Sequence, residues 1–253
     1  MRTLVTGLLL ACCLVVLASA DASAGVYGTY TGTSVQYVGV SESDTPPQLQ
    51  LGAPTLSGAS LVFNPTAFYS TASGSGDYSS NITDSQITTQ IYSVGDYRLD
   101  TIRIQASGSY EFTGIGTEDT MANAYVTVTV TVFGVDGKDL EKPLVLDDVT
   151  LPMSPTDGMF NMRDSPSSGP WTGDATVDIL AALTKANIPG HATRLLLYLD
   201  DTLSTLSEDG SSVTIRNGNS GGLILTPAPE PATLSLMLLG GLFALRLRRR
   251  RAA

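Results

Sequence analysis

The chain has 253 residues, 42% of them hydrophobic and 15% charged, with 25 Gly and 13 Pro. That apolar share excludes a disordered chain, and the length suits one or two domains. All 24 acidic residues lie between Asp21 and Glu230, and 8 basic residues against those 24 leave that body at −16, which repels phosphate backbones and argues against nucleic acid as a partner.

Arg2 precedes an apolar run over residues 4–17, and Ala18-Ser19-Ala20 supplies a small-residue exit. This pattern predicts a secretory signal peptide over residues 1–20, cut after Ala20, with Ala22-Ser23-Ala24 as a second exit. Both Cys lie inside it, so the mature chain has no Cys, which excludes disulfides, thiolate metal sites and a Cys nucleophile. Residues 21–226 then read as a single β-rich domain. Strands are expected at 35–40, 60–63, 82–92 and 99–106. The strongest is 125–133, where Val and Thr alternate so that one face is apolar and the other hydroxylated. A further strand is expected at 144–151, and Arg163 to Trp171 reads as a Gly/Pro/Ser loop.

Val177, Leu180, Ala181 and Thr184 share a stripe at helical spacing, which predicts one short helix over 177–186, capped by Asp174 or Thr176 and stopped at Pro189-Gly190. Strands follow at 194–199, 212–215 and 223–225. Many short strands with one helix predict an all-β, antiparallel β-sandwich or jelly-roll-like domain. Residues 227–231 form a Pro-rich linker. Residues 232–247 are apolar enough for a transmembrane helix, short but completed by snorkelling Arg, and 248–253 form the Arg-rich end. The cluster Arg246, Arg248, Arg249, Arg250 and Arg251 fixes the tail in the cytoplasm and the acidic body outside.

Pro229-Glu230-Pro231, an apolar helix and a terminal Arg cluster, in that order behind a signal peptide, resemble the PEP-CTERM sorting signal of Gram-negative bacteria. The resemblance covers about a tenth of the chain, residues 227–253. It implies recognition by a membrane-embedded exosortase that cuts near Pro229-Glu230-Pro231. It also implies a protein held transiently in the inner membrane, then released to the cell envelope, surface or extracellular matrix of an exopolysaccharide producer.

Candidate chemistry in the body is sparse. Gly218-Asn219-Ser220-Gly221-Gly222 fits a serine-nucleophile pattern, but His191 lies only 29 residues upstream and 223–225 reads as a strand, so a Gly-rich hairpin turn is expected. His191 reads as a solvated loop residue. The pairs Glu118-Asp119, Asp147-Asp148, Asp200-Asp201 and Glu208-Asp209 cannot act as acid and base within a pair, because strand neighbours point to opposite faces. The loops 136–141 and 200–209 offer oxygens for a structural calcium, without a known calcium motif; no other cofactor or metal is expected. Tyr27, Tyr30, Tyr37, Tyr69, Tyr78, Tyr92 and Tyr97 lie in polar surroundings. Trp171, the single tryptophan, is a candidate ligand contact or a plug at the end of the core. These readings point to a non-enzymatic surface or matrix protein associated with exopolysaccharide. The alternatives are a carbohydrate-binding module and a glycan-active enzyme.

Overall fold

A computed structural model describes residues 23–45, 50–218 and 221–228. The expected signal peptide with Ala18 and Ala20 lies outside the described residues. So do Pro229, Glu230, Pro231, the 232–247 helix and the Arg cluster. Among the described residues no helix is long and apolar enough to cross a membrane.

In chain order the strands are β1 (Ser23–Thr31), β2 (Val35–Thr45), β3 (Thr55–Ser57), β4 (Ser60–Phe63) and β5 (Tyr69–Ser73). Next come β6 (Ser79–Ser93), β7 (Thr101–Gly114), β8 (Met121–Val135), β9 (Lys138–Val145), β10 (Val149–Thr150) and β11 (Met153–Ser154). The remainder are β12 (Met159–Asn161), β13 (Ser168–Asp178), β14 (Ala192–Ser207), β15 (Ser211–Asn217) and β16 (Leu223–Ala228), with helix α1 (Ile179–Lys185) between β13 and β14.

Two antiparallel sheets result, as the sequence predicts. The first runs β1-β2-β6-β14-β8, with β9, β10 and β12 pairing in turn along the far edge of β8. The second centres on β7, which holds β13 on one edge and β15 and β16 end to end on the other. The sheets pack face to face because each strand alternates. Val126, Val128, Val130 and Val132 of β8 and Leu195, Leu197, Leu199 and Leu203 of β14 are buried, facing Ile102, Ile104 and Phe112 of β7 and Val213 and Ile215 of β15. The Thr face of β8 points outward and is half-buried, which is the pattern its sequence requires.

Several local expectations are corrected. The stretch 163–171 is not all loop: Ser168 to Trp171 begin β13, which pairs with β7 from Ser168↔Glu111 to Asp178↔Thr101. That ladder holds Val177 extended, so the helix starts later. Asp178 is its cap, accepting from Ala181 N at 2.8 Å, and the buried stripe is Ile179 and Leu183. The expected strand at 144–151 divides into β9 and β10, with exposed Asp147 and Asp148 in the break. Residues 218–222 are not a hairpin turn, for Asn217 pairs with Gly108 and Leu223 with Ala106 along the same edge of β7. The chain therefore keeps its direction across an insertion; Asn219 and Ser220 lie outside the described residues.

Trp171 is the core plug and offers no face to a ligand. It sits on β13 opposite Gly108 and is 1% exposed. A Cβ on Gly108 would lie 2.5 Å from the indole ring and would also strike the Arg216 carbonyl. Gly108→Ala is therefore expected to destabilise the fold by about 2 kcal/mol or more, through overpacking. Urea unfolding followed by the fluorescence of the lone tryptophan checks it; an unchanged midpoint would refute this packing.

Candidate functional site

A groove of about 880 Å³ lies at one end of the sandwich. Three connections build it. The β6–β7 loop carries Gly95, Asp96, Tyr97 and Arg98. The β8–β9 hairpin turns on Asp136 and Gly137, and the start of β14 contributes His191, Thr193 and Arg194. Asp136 (φ 47°) and Gly137 (φ 73°) form a two-residue turn with positive φ at both positions, the geometry that Asp-Gly favours between twisted strands. Gly190 (φ 107°) is obligatory: a Cβ there would run into the Asp136 carboxylate and lie 2.7 Å from Val135. The ladder slips register between Ala192 and Leu195 against β8, and such bulges re-aim side chains, here into the groove.

Most polar groups of the groove hold protein partners. His191 Nδ1 lies 2.7 Å from Asp100 Oδ1, and Asp100 is buried. Backbone N–H of His191 donates to Asp136 Oδ1 at 3.0 Å. Arg194 pairs with Asp139 at 3.0 Å and stands over the Phe133 ring. Tyr92 donates its hydroxyl to Gln90 Oε1 at 2.7 Å, and Tyr97 donates to the Pro227 carbonyl at 3.0 Å. Two rings are thus fixed through their hydroxyls. Asp96 and Arg98 are exposed, and neither is in an ion pair among the described residues. Among the described residues no three or more His, Asp or Glu group as a metal site.

The other carboxylates fall into two sets. Asp200 faces outward from the first sheet and Asp201 inward, as strand alternation demands. Asp200 is pushed up to about 6 by burial and by its hydrogen-bonded neighbour Asp84. A hydrogen-bonded carboxyl pair is closer than the roughly 5 Å or more that glycoside hydrolysis sets between its two acids. Inside the core, Glu42 is 1% exposed yet fully compensated. It accepts from the backbone of Gln50, Leu51 and Gly52, from Ser85 Oγ at 3.0 Å and from the Tyr27 hydroxyl. Burial beside Glu42 pushes Asp44 up to about 7.

Asp201 bridges the sheets. Its Oδ2 accepts from Asn217 Nδ2 of β15 at 2.7 Å, while Asp201 Oδ1 and Asn217 Oδ1 are both buried without a partner. A proton on Asp201 Oδ1 would let the acid and the amide pair reciprocally, satisfying both orphan oxygens. Burial pushes Asp201 up to about 7.

The structure thus gathers His191, Tyr92, Tyr97 and the Asp136–Asp139 turn, which are scattered in the sequence, into one groove. It disperses the remaining tyrosines: Tyr37 is buried in the core and donates to the Ala59 and Leu225 carbonyls, whereas Tyr69 and Tyr78 are exposed elsewhere. Arg98, Arg194 and Asp100 have no sequence signal that links them to the groove; only the topology brings them together.

No family model and no curated protein matches the chain. Among solved structures, it is similar to TmCBM61 in complex with β-1,4-galactotriose at 10% identity and TM-score 0.21, covering 70% of this chain and 90% of that one. Endoglucanase 3 of Trichoderma harzianum, from family GH12, gives 8% identity, TM-score 0.23 and coverage of 83% and 99%. The xylan-binding module CBM15 gives 11% identity, TM-score 0.21 and coverage of 66% and 94%.

The buried acids set a pH dependence. Asp44 and Asp201 bind protons in the native state up to about pH 7. Unfolded carboxyls release theirs near pH 4, so the contribution of these two groups to native stability is greatest below that and falls as pH rises to about 7. Urea midpoints are expected to be lower at pH 8 than at pH 5, with Asp201→Asn flattening the decline. Stability that rises across this interval would contradict the assignment.

Proposed function

We propose that the chain is an exported, non-enzymatic β-sandwich, delivered to the cell envelope or extracellular matrix by its C-terminal sorting signal and associated there with exopolysaccharide. The signal peptide carries the body across the inner membrane. The apolar 232–247 segment holds it there, with Arg246 to Arg251 on the cytoplasmic side, until an exosortase acts near Pro229-Glu230-Pro231.

The observation that carries this reading is the tripartite tail. The last described ladder pair is Ala228↔Thr101, with Thr101 Oγ1 donating to the Ala228 carbonyl at 3.2 Å. The motif starts at the next residue. Cutting at or beyond Pro229 leaves every described strand, β1 to β16, on the released body.

A carbohydrate-binding role is the second reading, and the groove favours it: two anchored aromatic rings lie beside polar side chains in a concavity of ligand size. The sorting claim is tested by intact mass. Protein recovered from the surface or medium of exosortase-positive cells is expected to lack the Arg tail and to end near residues 229–231, while cells without exosortase retain the full tail in the membrane. Surface material that still carries Arg251 would overturn the processing.

A further inference from the structure

We propose that the end groove binds a short segment of a neutral polysaccharide, with Tyr92 and Tyr97 as ring platforms and Asp96 and Arg98 as the hydrogen-bonding arms. The inference rests on the exopolysaccharide reading above and gives that reading a site, in place of the buried Trp171.

A pyranose offers an apolar C–H face and a rim of hydroxyls. It is held by flat aromatic surface together with planar groups that donate or accept two hydrogen bonds at once. Tyr92 and Tyr97 supply the first. Both hydroxyls are committed, to Gln90 Oε1 and to the Pro227 carbonyl, so the rings are positioned before a ligand arrives and lose little freedom on binding. Asp96 and Arg98 supply the second, as an acceptor and a donor two residues apart on the same loop, neither in an ion pair among the described residues. His191 has Nδ1 taken by Asp100, which leaves Nε2 as the ring nitrogen for a hydroxyl. The volume, about 880 Å³, lies within the range of small-molecule sites, roughly 300–1,000 Å³.

Charge selects the polymer class. Asp96, Asp136 and Asp139 outnumber Arg98 and Arg194 around the groove, and Arg194 is already paired with Asp139. The body around it is at −16 (8 basic against 24 acidic residues), so a uronate or sulfated chain meets repulsion and a neutral one does not.

Calorimetric titration of the full chain in detergent tests this, with cellotetraose, xylotetraose and β-1,4-galactotetraose as neutral probes and tetragalacturonate as the anionic one. At least one neutral probe is expected to bind and the galacturonate is not. Tyr92→Ala, Asp96→Ala and Arg98→Ala are each expected to weaken that binding tenfold or more, with melting temperatures near that of the unmodified chain. No binding by any neutral probe, tighter binding of the galacturonate, or variants that bind like the parent would each overturn the site. Cosedimentation with the producing cell's own exopolysaccharide separates the two claims. Parent and variants that sediment equally leave the matrix role standing and remove the groove. A parent that never sediments removes the matrix association itself.

Discussion

Strand β14 is paired along nearly its whole length, to β6 on one edge and to β8 on the other, and its alternation decides what each part of the molecule faces. From Leu195 to Leu203 its inward residues form the centre of the core; Asp201 interrupts that row and reaches across to Asn217. Its outward residues carry Tyr198, Asp200 and Thr202 onto the surface. At its beginning the ladder slips, and the same strand that is regular in the core supplies Thr193 and Arg194 to the groove. The irregularity is local because the inward register must recover within two residues for Leu195 and Leu197 to be buried; a lasting one-residue slip would turn every apolar side chain to solvent.

The buried carboxylates show two ways of meeting the cost of removing charge from water. Glu42 is surrounded by donors, three of them consecutive backbone N–H groups, so its ionised form is solvated by the protein and in return holds residues 50–52 against β2. Asp201 has a single donor and an orphan oxygen beside the orphan oxygen of its partner amide. The neutral acid suits that environment better than the carboxylate. A carboxyl group thus serves as a clasp ringed by donors at Glu42 and, in its acid form, as an inter-sheet link at Asp201, and the number of donors within reach makes the difference.

Much of the fold is legible in the sequence because half-buried strands must alternate. The Val/Thr run of β8 states its period openly, and both the strand and the face it buries follow from it. Strand β13 is hidden for the opposite reason. Ser168, Gly169 and Pro170 are turn formers, yet pairing to β7 imposes an extended chain on them, and the tertiary ladder outweighs local preference. The helix is misplaced by two residues for the same cause, since β13 keeps Val177 and leaves the cap to Asp178. The groove is legible only in pieces. Tyr92, Tyr97, the 136–141 loop and His191 each stand out singly, but nothing in their spacing places them together. They meet because β6, β8 and β14 are neighbours in one sheet and their connections fall at one end.

Tyr97 ties that end to strand β16 of the other sheet. Its ring lines the groove while its hydroxyl holds the Pro227 carbonyl, one residue before the last described ladder pair. Terminal ladder bonds are the first to open, because few contacts are lost with them. A side-chain bond that reaches back from a neighbouring loop counters that fraying, and here it acts directly upstream of Pro229. Fixing the ring therefore also holds this part of β16. One side chain thus contributes both to the groove and to the second sheet, so the position of the Tyr97 ring and the pairing of β16 with β7 are physically linked.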